Sequence, residues 1–221
     1  MFVKLINRRE RLKKFDVVIV GASTAGSFFA RRMAEKGFNV LIIDKSAREK
    51  ISPDYDVFHM EKKEMDRFDL PKVTEGDGIC EFIFSDQDML SAYSNYPKPA
   101  PTEVVGMHKH DYIVLMNDWA IDAGAEIVYE AAYDSLVYDE SGKICGVTYV
   151  KDGKKNTVEC RLVADCSGIP AVVRRSLPDD YGIEKFELTP KDIFYVTLRY
   201  IDFEENIHCS YFFNILTFYT I

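Results

Sequence analysis

The segment FDVVIVGASTAGSFFARRMAEKGFNVLIIDK, residues 15–45, constrains the fold of this chain more than any other. Its opening DVVIV is a β-branched run of the kind found in strands buried on both faces of a parallel sheet. Gly21 follows at once, where the chain must turn tightly. From Ser23 to Lys36 the spacing becomes helical, with Phe29, Met33 and the small residues Ala22, Ala25, Gly26 and Ala30 nearest the sheet. Gly37 can end that helix without a Cβ penalty. NVLII then makes a second buried strand finishing at Asp44, which completes a βαβ unit.

Each position in this unit has a reason compatible with a dinucleotide. Gly21 permits the turn, and Gly26 lets the helix approach the first strand. The helix start offers unpaired N–H groups and a partial positive charge to a pyrophosphate. Asp44, 23 residues after Gly21, stands where a carboxylate accepts hydrogen bonds from a ribose. Ser23 occupies the position of the middle glycine in Gly-x-Gly-x-x-Gly. Serine is small and its hydroxyl can donate to a phosphate oxygen, so the turn is a variant of the motif rather than a loss of it.

A chain of 221 residues with 47% hydrophobic and 29% charged residues can bury a sizeable core. Its net charge of -8 argues against nucleic acid or an acidic membrane surface as partner. No apolar run approaches the roughly 20 residues that span a bilayer. The start, MFVKLINRRERLKK, is too broken by charge for a signal-peptide core and reads as an arm over residues 1–14. The five cysteines, Cys80, Cys145, Cys160, Cys166 and Cys209, form no Cys-x-x-Cys pair. Isolated cysteines point to reduced thiols and a cytoplasmic location, with no metal site.

A second motif lies in CRLVADCSGIPAVVRRSL, residues 160–177. RLVAD is a short strand, CSG a turn, and PAVVRR the start of a helix with proline near its first turn. Between the motifs, Ile113, Met116, Ala120 and Ala123 repeat at helical spacing, with Asp111 as a candidate cap and Gly124 closing the helix. ESGK and KDGKKN then separate alternating segments, predicting a β-meander over about residues 136–160, laid over the nucleotide domain.

A strand ending in Ala164-Asp165-x-x-Gly168 and followed by Val-Arg-Arg resembles the second flavin-contacting motif of the flavoproteins built like p-hydroxybenzoate hydroxylase and the geranylgeranyl reductases. The intervening helix ending in Gly-Ala-Glu, then strand and meander, keeps the order of that superfamily over residues 15–177. Ala-Asp-x-Ser-Gly is closer to the geranylgeranyl reductase branch. The resemblance implies an α/β fold with a Rossmann-like FAD-binding domain of the glutathione-reductase type. It sets Gly21, Ala22, Ser23, Thr24, Ala25 and Gly26 against the FAD pyrophosphate. Asp44 would face the adenine ribose, with Lys45 beside it. Asp165 and Gly168 would lie near the pyrophosphate and ribityl chain, and Lys109 where the family has an arginine reaching the flavin.

The sequence also departs from that family. Its third motif, a strand followed by Gly-Asp-Ala, is absent; Gly76-Asp77 precedes the second motif and no apolar strand leads into it. The family's cysteine-glycine segment after the second strand is replaced by SAREKISPDYDVFHMEKKEM. DIFYVTLRYIDF, residues 192–203, reads as the first long strand of a substrate-domain sheet, and the apolar tail after it calls for a partner chain or oligomer contact. The expectation is therefore a C-terminally truncated member, either a fragment or a natural short form.

Other matches carry less. Tyr181 to Lys185 spells Tyr-x-x-x-Lys, but Gly182 interrupts it and the first turn lacks the glycines of the short-chain dehydrogenases. His108 and His110 beside Asp111 have no third metal ligand nearby. NYPKPAPTE, residues 95–103, is an extended connector. The domains expected are 15–70 with 111–178 for FAD, and 71–110 with 179–221 as partial substrate segments. The function expected is FAD-dependent oxidation–reduction by hydride transfer through flavin N5 on a small or prenyl-type organic substrate, with NAD(P)H as candidate donor. The alternatives are an FAD-dependent monooxygenase and a nucleotide-binding remnant inactive alone.

Overall fold

The structure, a computed structural model, describes residues 12–52, 57–85, 103–185 and 189–192. Its elements run β1 (Lys14–Val20), α1 (Thr24–Ala34), β2 (Val40–Ile43), β3 (Val57–Glu61), α2 (Lys62–Arg67), β4 (Cys80–Ser85) and β5 (Glu103–His108). They continue with α3 (Lys109–Asp122), β6 (Glu126–Val128), β7 (Ala132–Tyr138), β8 (Ile144–Lys151), β9 (Lys154–Asp165) and α4 (Val172–Ser176). The contacts divide into two compact units, one made of the described residues before position 57 with Lys109–Ile183, the other including those of Val57–His108.

In the first unit six strands form one sheet in the order β6-β2-β1-β9-β8-β7. The first four run parallel, and β9, β8 and β7 pair antiparallel. The side-chain period of two divides the core into two layers. Val18, Val20, Leu41 and Ile43 pack with Val147, Val158 and Cys160 of the meander. Val17, Ile19, Val40 and Ile42 face α1 and α3, where Ala30, Ala34 and Ala120 keep the helices close. Full burial of each such Ile or Leu contributes about 1.5–3 kcal/mol.

The meander is longer than the sequence suggested. It starts at Ala132, and RLVAD is the end of the 12-residue β9 rather than a separate strand. The N-terminal half of β9 pairs with β8 and its C-terminal half with β1, the exchange occurring at Glu159. Asp152 and Gly153, both at positive φ (50° and 69°), turn β8 into β9 as a two-residue hairpin. This is how the meander covers one face of the parallel strands while remaining hydrogen-bonded to them.

Three helix boundaries also differ. α1 ends at Ala34, and Gly37 at φ +82° follows its last turn. α3 begins at Lys109, directly after β5, so Asp111 lies in its first turn and is not its cap. α4 begins only at Val172, because Ala171 adopts a left-handed conformation (φ 42°) after the Pro170 turn.

The second unit contains a three-stranded antiparallel sheet, β3-β5-β4, with α2 packed on β3 and β5. Residues 57–70, grouped with the nucleotide domain from sequence, pack in this unit because β3 pairs with β5. Asp77 sits in a loop where its carboxylate accepts the N–H groups of Thr74, Ile79 and Cys80. The connector at 95–102, residues 1–11 of the arm and residues 193–203 lie outside the described residues.

Gly146 fixes the β8–β9 contact. A Cβ there would stand 2.3 Å from the Val158 carbonyl oxygen, a backbone atom that cannot swing away. Gly146→Ala is expected to lower the unfolding free energy by about 1–3 kcal/mol. Urea denaturation should show a lower midpoint at unchanged slope; an unchanged midpoint would mean that the two strands have slack.

Candidate functional site

The carboxyl ends of β1, β2 and β9 bring three loops together. After β1 the chain turns through Gly21 at φ +110°, with its N–H donating to the Ile43 carbonyl at 2.8 Å. A Cβ on Gly21 would lie 2.3 Å from the Cys166 carbonyl oxygen, so the turn after β9 rests directly on the turn after β1. The Cys166 N–H donates to the Val20 carbonyl at 2.9 Å. Gly26 has a different reason for being glycine: a Cβ there would stand 1.8 Å from the Gly21 carbonyl oxygen.

Ser23 is the N-cap of α1 in extended conformation (φ −82°), and its side chain makes no capping bond. Thr24 and Ala25 begin the helix, and no acidic side chain lies in its first turn. The first N–H groups are thus left without a side-chain acceptor, at the positive end of the helix dipole. Ser23 and Thr24 are half-buried and Ala25 is exposed.

Asp44, just beyond β2, fastens this turn. Its Oδ2 accepts the Ala22 N–H at 2.8 Å and its Oδ1 accepts the Ser46 N–H at 2.8 Å. An ionised carboxylate offers about four lone-pair sites, so acceptor capacity is left for a ligand hydroxyl. Gly21, Asp44 and the exposed Lys45 line a cleft of about 150 Å3 with Tyr133, Ser167 and Val172. Two larger clefts, about 450 and 560 Å3, open around Asp16, Cys160 and Arg161 at the other end of β1. None of the motif glycines lines either, so the smaller cleft is the one with the relevant chemistry.

Asp165 is exposed and does not line the cleft; its carboxylate folds back on its own loop. Its Oδ1 accepts from the Ser167 N–H and hydroxyl at 3.1 and 2.6 Å. Its Oδ2 accepts from the N–H groups of Val173 and Arg174 at 3.0 and 2.8 Å. The carboxylate therefore ties the CSG turn to the start of α4, a task the sequence could not reveal. Gly168, at φ +73°, has open space where a Cβ would be. Lys109 opens α3 and does not line the cleft.

Sequence reasoning missed Ser27 and Asn117, the two buried polar residues among those described, joined at 2.6 Å. The available signal was an asparagine on the core face of α3, between Ile113, Met116 and Ala120. It also missed Arg48, whose guanidinium meets Asp118 through two bonds of 2.7 Å, raising its already high pKa. Burial pushes the Cys160 thiol up to about 11 and raises that of Cys166, so neither is a nucleophile at neutral pH. Tyr181 and Lys185 are exposed around a 3-10 turn and Gly182 at positive φ, not aligned on a helix. Among the described residues, no cluster of three His, Cys, Asp or Glu side chains could hold a metal ion, and no helix is long and apolar enough to cross a membrane.

Comparisons with known proteins bear on this geometry. Digeranylgeranylglycerophospholipid reductase of Methanocella arvoryzae is 30% identical over 166 residues, covering 73% of this chain and 41% of the relative. The protein of the same name from Methanosarcina acetivorans is 26% identical over 182 residues, covering 79% and 42%. The chain thus spans about two fifths of the length of these curated relatives. Among solved structures, a geranylgeranyl bacteriochlorophyll reductase-like protein from Thermoplasma acidophilum superposes with TM-score 0.58 at 16% identity, covering 74% of this chain and 42% of that one. That likeness establishes a shared fold, the α/β architecture with a parallel-dominated sheet. The profile of the FAD binding domain family matches residues 14–216. With that match spanning nearly all of its length, the chain belongs to the FAD binding domain family.

Proposed function

We propose that the chain forms the nucleotide-binding part of an FAD-dependent oxidoreductase of the geranylgeranyl reductase type, acting on a small or prenyl-type organic substrate. The observation that carries this reading is the turn at residues 21–26, held by Asp44 through Ala22 and leaving an uncapped helix start open. The names of the two archaeal relatives support the substrate class. Bound FAD would supply hydride transfer at its N5.

The residues fit that group. Gly21 and Gly26 are positions a Cβ would fill, so backbone alone lines the turn. The amides of Ser23, Thr24, Ala25 and Gly26 would meet the pyrophosphate, with Ala22 held back by its bond to Asp44. Asp44 would take the adenosine ribose through its remaining lone pairs, with Lys45 at the rim. Asp165 acts through the loop it fastens, keeping Ser167 and Gly168 beside the cofactor. Lys109 is the candidate cation toward the flavin. The first unit is the FAD-binding part in this reading, and the second belongs to the substrate side. NAD(P)H is the proposed electron donor and the cytoplasm the proposed location, the latter supported by the isolated cysteines.

An absorbance spectrum of the purified chain, taken after adding FAD and desalting, tests the reading. Retained flavin bands are expected; a colourless protein that releases all added FAD would overturn it. Asp44→Ala should weaken FAD binding about tenfold, equivalent to 1.4 kcal/mol, as read by quenching of flavin fluorescence. Asp165→Asn should act differently, lowering stability by about 1–3 kcal/mol because two N–H donors lose their acceptor. Thermal unfolding of the ligand-free chain separates the two effects: a loss of FAD affinity at unchanged stability in Asp165→Asn would instead mean direct contact with the cofactor.

A further inference from the structure

Three consecutive residues of α3 reach three different neighbours in the first unit. Ser27 Oγ of α1 donates to Asn117 Oδ1 at 2.6 Å. The Arg48 guanidinium, in the chain leaving β2, donates to both oxygens of Asp118 at 2.7 Å each. The Arg31 guanidinium of α1 donates to the Trp119 carbonyl at 2.7 Å and lies over the Trp119 ring, 4.9 Å from its centroid. Phe28 stacks on the same ring at 6.3 Å. Successive residues of an α-helix point about 100° apart, so adjacent positions can serve different partners. α1, which opens the phosphate-facing turn, is met by Asn117 and Trp119. The segment that carries Asp44 is met by Asp118.

Stability does not account for the Arg48–Asp118 pair. Its side chains remain 35% and 47% exposed, and ion pairs this open to water contribute little to folding. A bidentate guanidinium–carboxylate contact does fix direction as well as distance. Neither residue lines the cleft that Asp44 faces. On the side of β6, the Asp44 carbonyl accepts the Ala131 N–H at 2.7 Å and the Ser46 carbonyl accepts the Glu130 N–H at 3.0 Å. The Ser46 N–H in turn donates to Asp44 Oδ1, so the path of the chain at Ser46 decides where the Asp44 carboxylate points. Two residues further on, the Arg48 fork ties the same segment to α3.

We propose that Arg48 and Asp118 form a brace that sets the Asp44 carboxylate at a fixed span from the start of α1, with α3 as the rod between them. The ligand it serves is an adenosine diphosphate moiety, whose ribose and phosphates must be met at both ends at once; this rests on the FAD reading given above. Arg48 and Asp118 are positioning residues, acting through the Asp44 segment rather than by touching the ligand.

The test begins without ligand. In Asp118→Ala the Ser46 and Glu130 amides are expected to exchange about tenfold faster. The Ser27 amide, which donates to the Ser23 carbonyl in α1, should be unchanged. Affinity for FAD, read by quenching of flavin fluorescence, should fall about tenfold. The thermal midpoint of the ligand-free chain should move by no more than about 2 °C, because the pair is exposed. Arg48→Lys keeps the charge but loses the fork, and it should show most of the same loss of affinity. The double variant Arg48→Ala with Asp118→Ala should bind FAD no more weakly than Asp118→Ala alone, as two residues of one brace require. Unchanged FAD affinity or unchanged Ser46 exchange in a folded Asp118→Ala chain would overturn the brace, as would full affinity in Arg48→Lys, which decides the matter if Asp118→Ala does not fold. A midpoint that drops in step with affinity would also overturn it, since the pair would then be structural only. Failure of the unaltered chain to bind FAD would overturn the functional reading alone, and exchange at Ser46 and Glu130 would still decide the brace.

Discussion

The rest of the first unit depends on the contact between Gly21 and the Cys166 carbonyl, where two backbone segments meet with no room for a Cβ. β1 and β9 are neighbouring parallel strands, so both turns leave the sheet at the same end and must share the same space. Glycine at φ +110° allows the first turn to pass under the second. Gly26 repeats the arrangement one layer further out, setting α1 on the Gly21 carbonyl. The helix start is thereby fixed relative to both strands by backbone, which changes shape far less readily than a layer of side chains would.

The two aspartates at the strand ends then divide the remaining tasks. Asp165 spends its acceptor capacity on four donors of its own loop and α4, making the second turn rigid. Asp44 uses two bonds, both to backbone, and keeps capacity in reserve. Chemically they are the same group at the same end of the two strands that flank β1. Their difference lies in the loops: a tight turn and short helix fold back over Asp165, whereas the chain after Asp44 leads away through Lys45 and Ser46.

The βαβ unit was legible because its signals are local: a β-branched run, a glycine, a helical period and a second apolar run. β9 was harder to read. Its first half, KKNTVE, is polar because it pairs only with β8 in the meander, and its second half is apolar because it joins the parallel strands. One strand with two environments reads as two segments. Asp165 was found as a motif residue, but its work depends on the path of the chain eight and nine residues later, which no spacing encodes. Asn117 was hidden in the opposite way, since one polar residue on an apolar helix face resembles ordinary irregularity until Ser27 is brought against it. Residues 57–70 were grouped with the first unit because sequence continuity suggested it, while the pairing of β3 with β5 decided otherwise.

Ser23 is the departure from the glycine pattern that made nucleotide binding questionable, and its backbone answers half of the objection. At φ −82° it is in extended conformation, which any L-residue adopts, so glycine's freedom is not needed there. What glycine would provide at this position is close approach by a phosphate. The serine hydroxyl is not occupied in capping α1, so it can turn toward an incoming oxygen and donate to it. The strained conformation in this turn falls on Gly21, where glycine is retained. Substitution at 23 therefore alters the surface that a phosphate meets while leaving the shape of the turn intact, and affinity there is governed by contact rather than by folding.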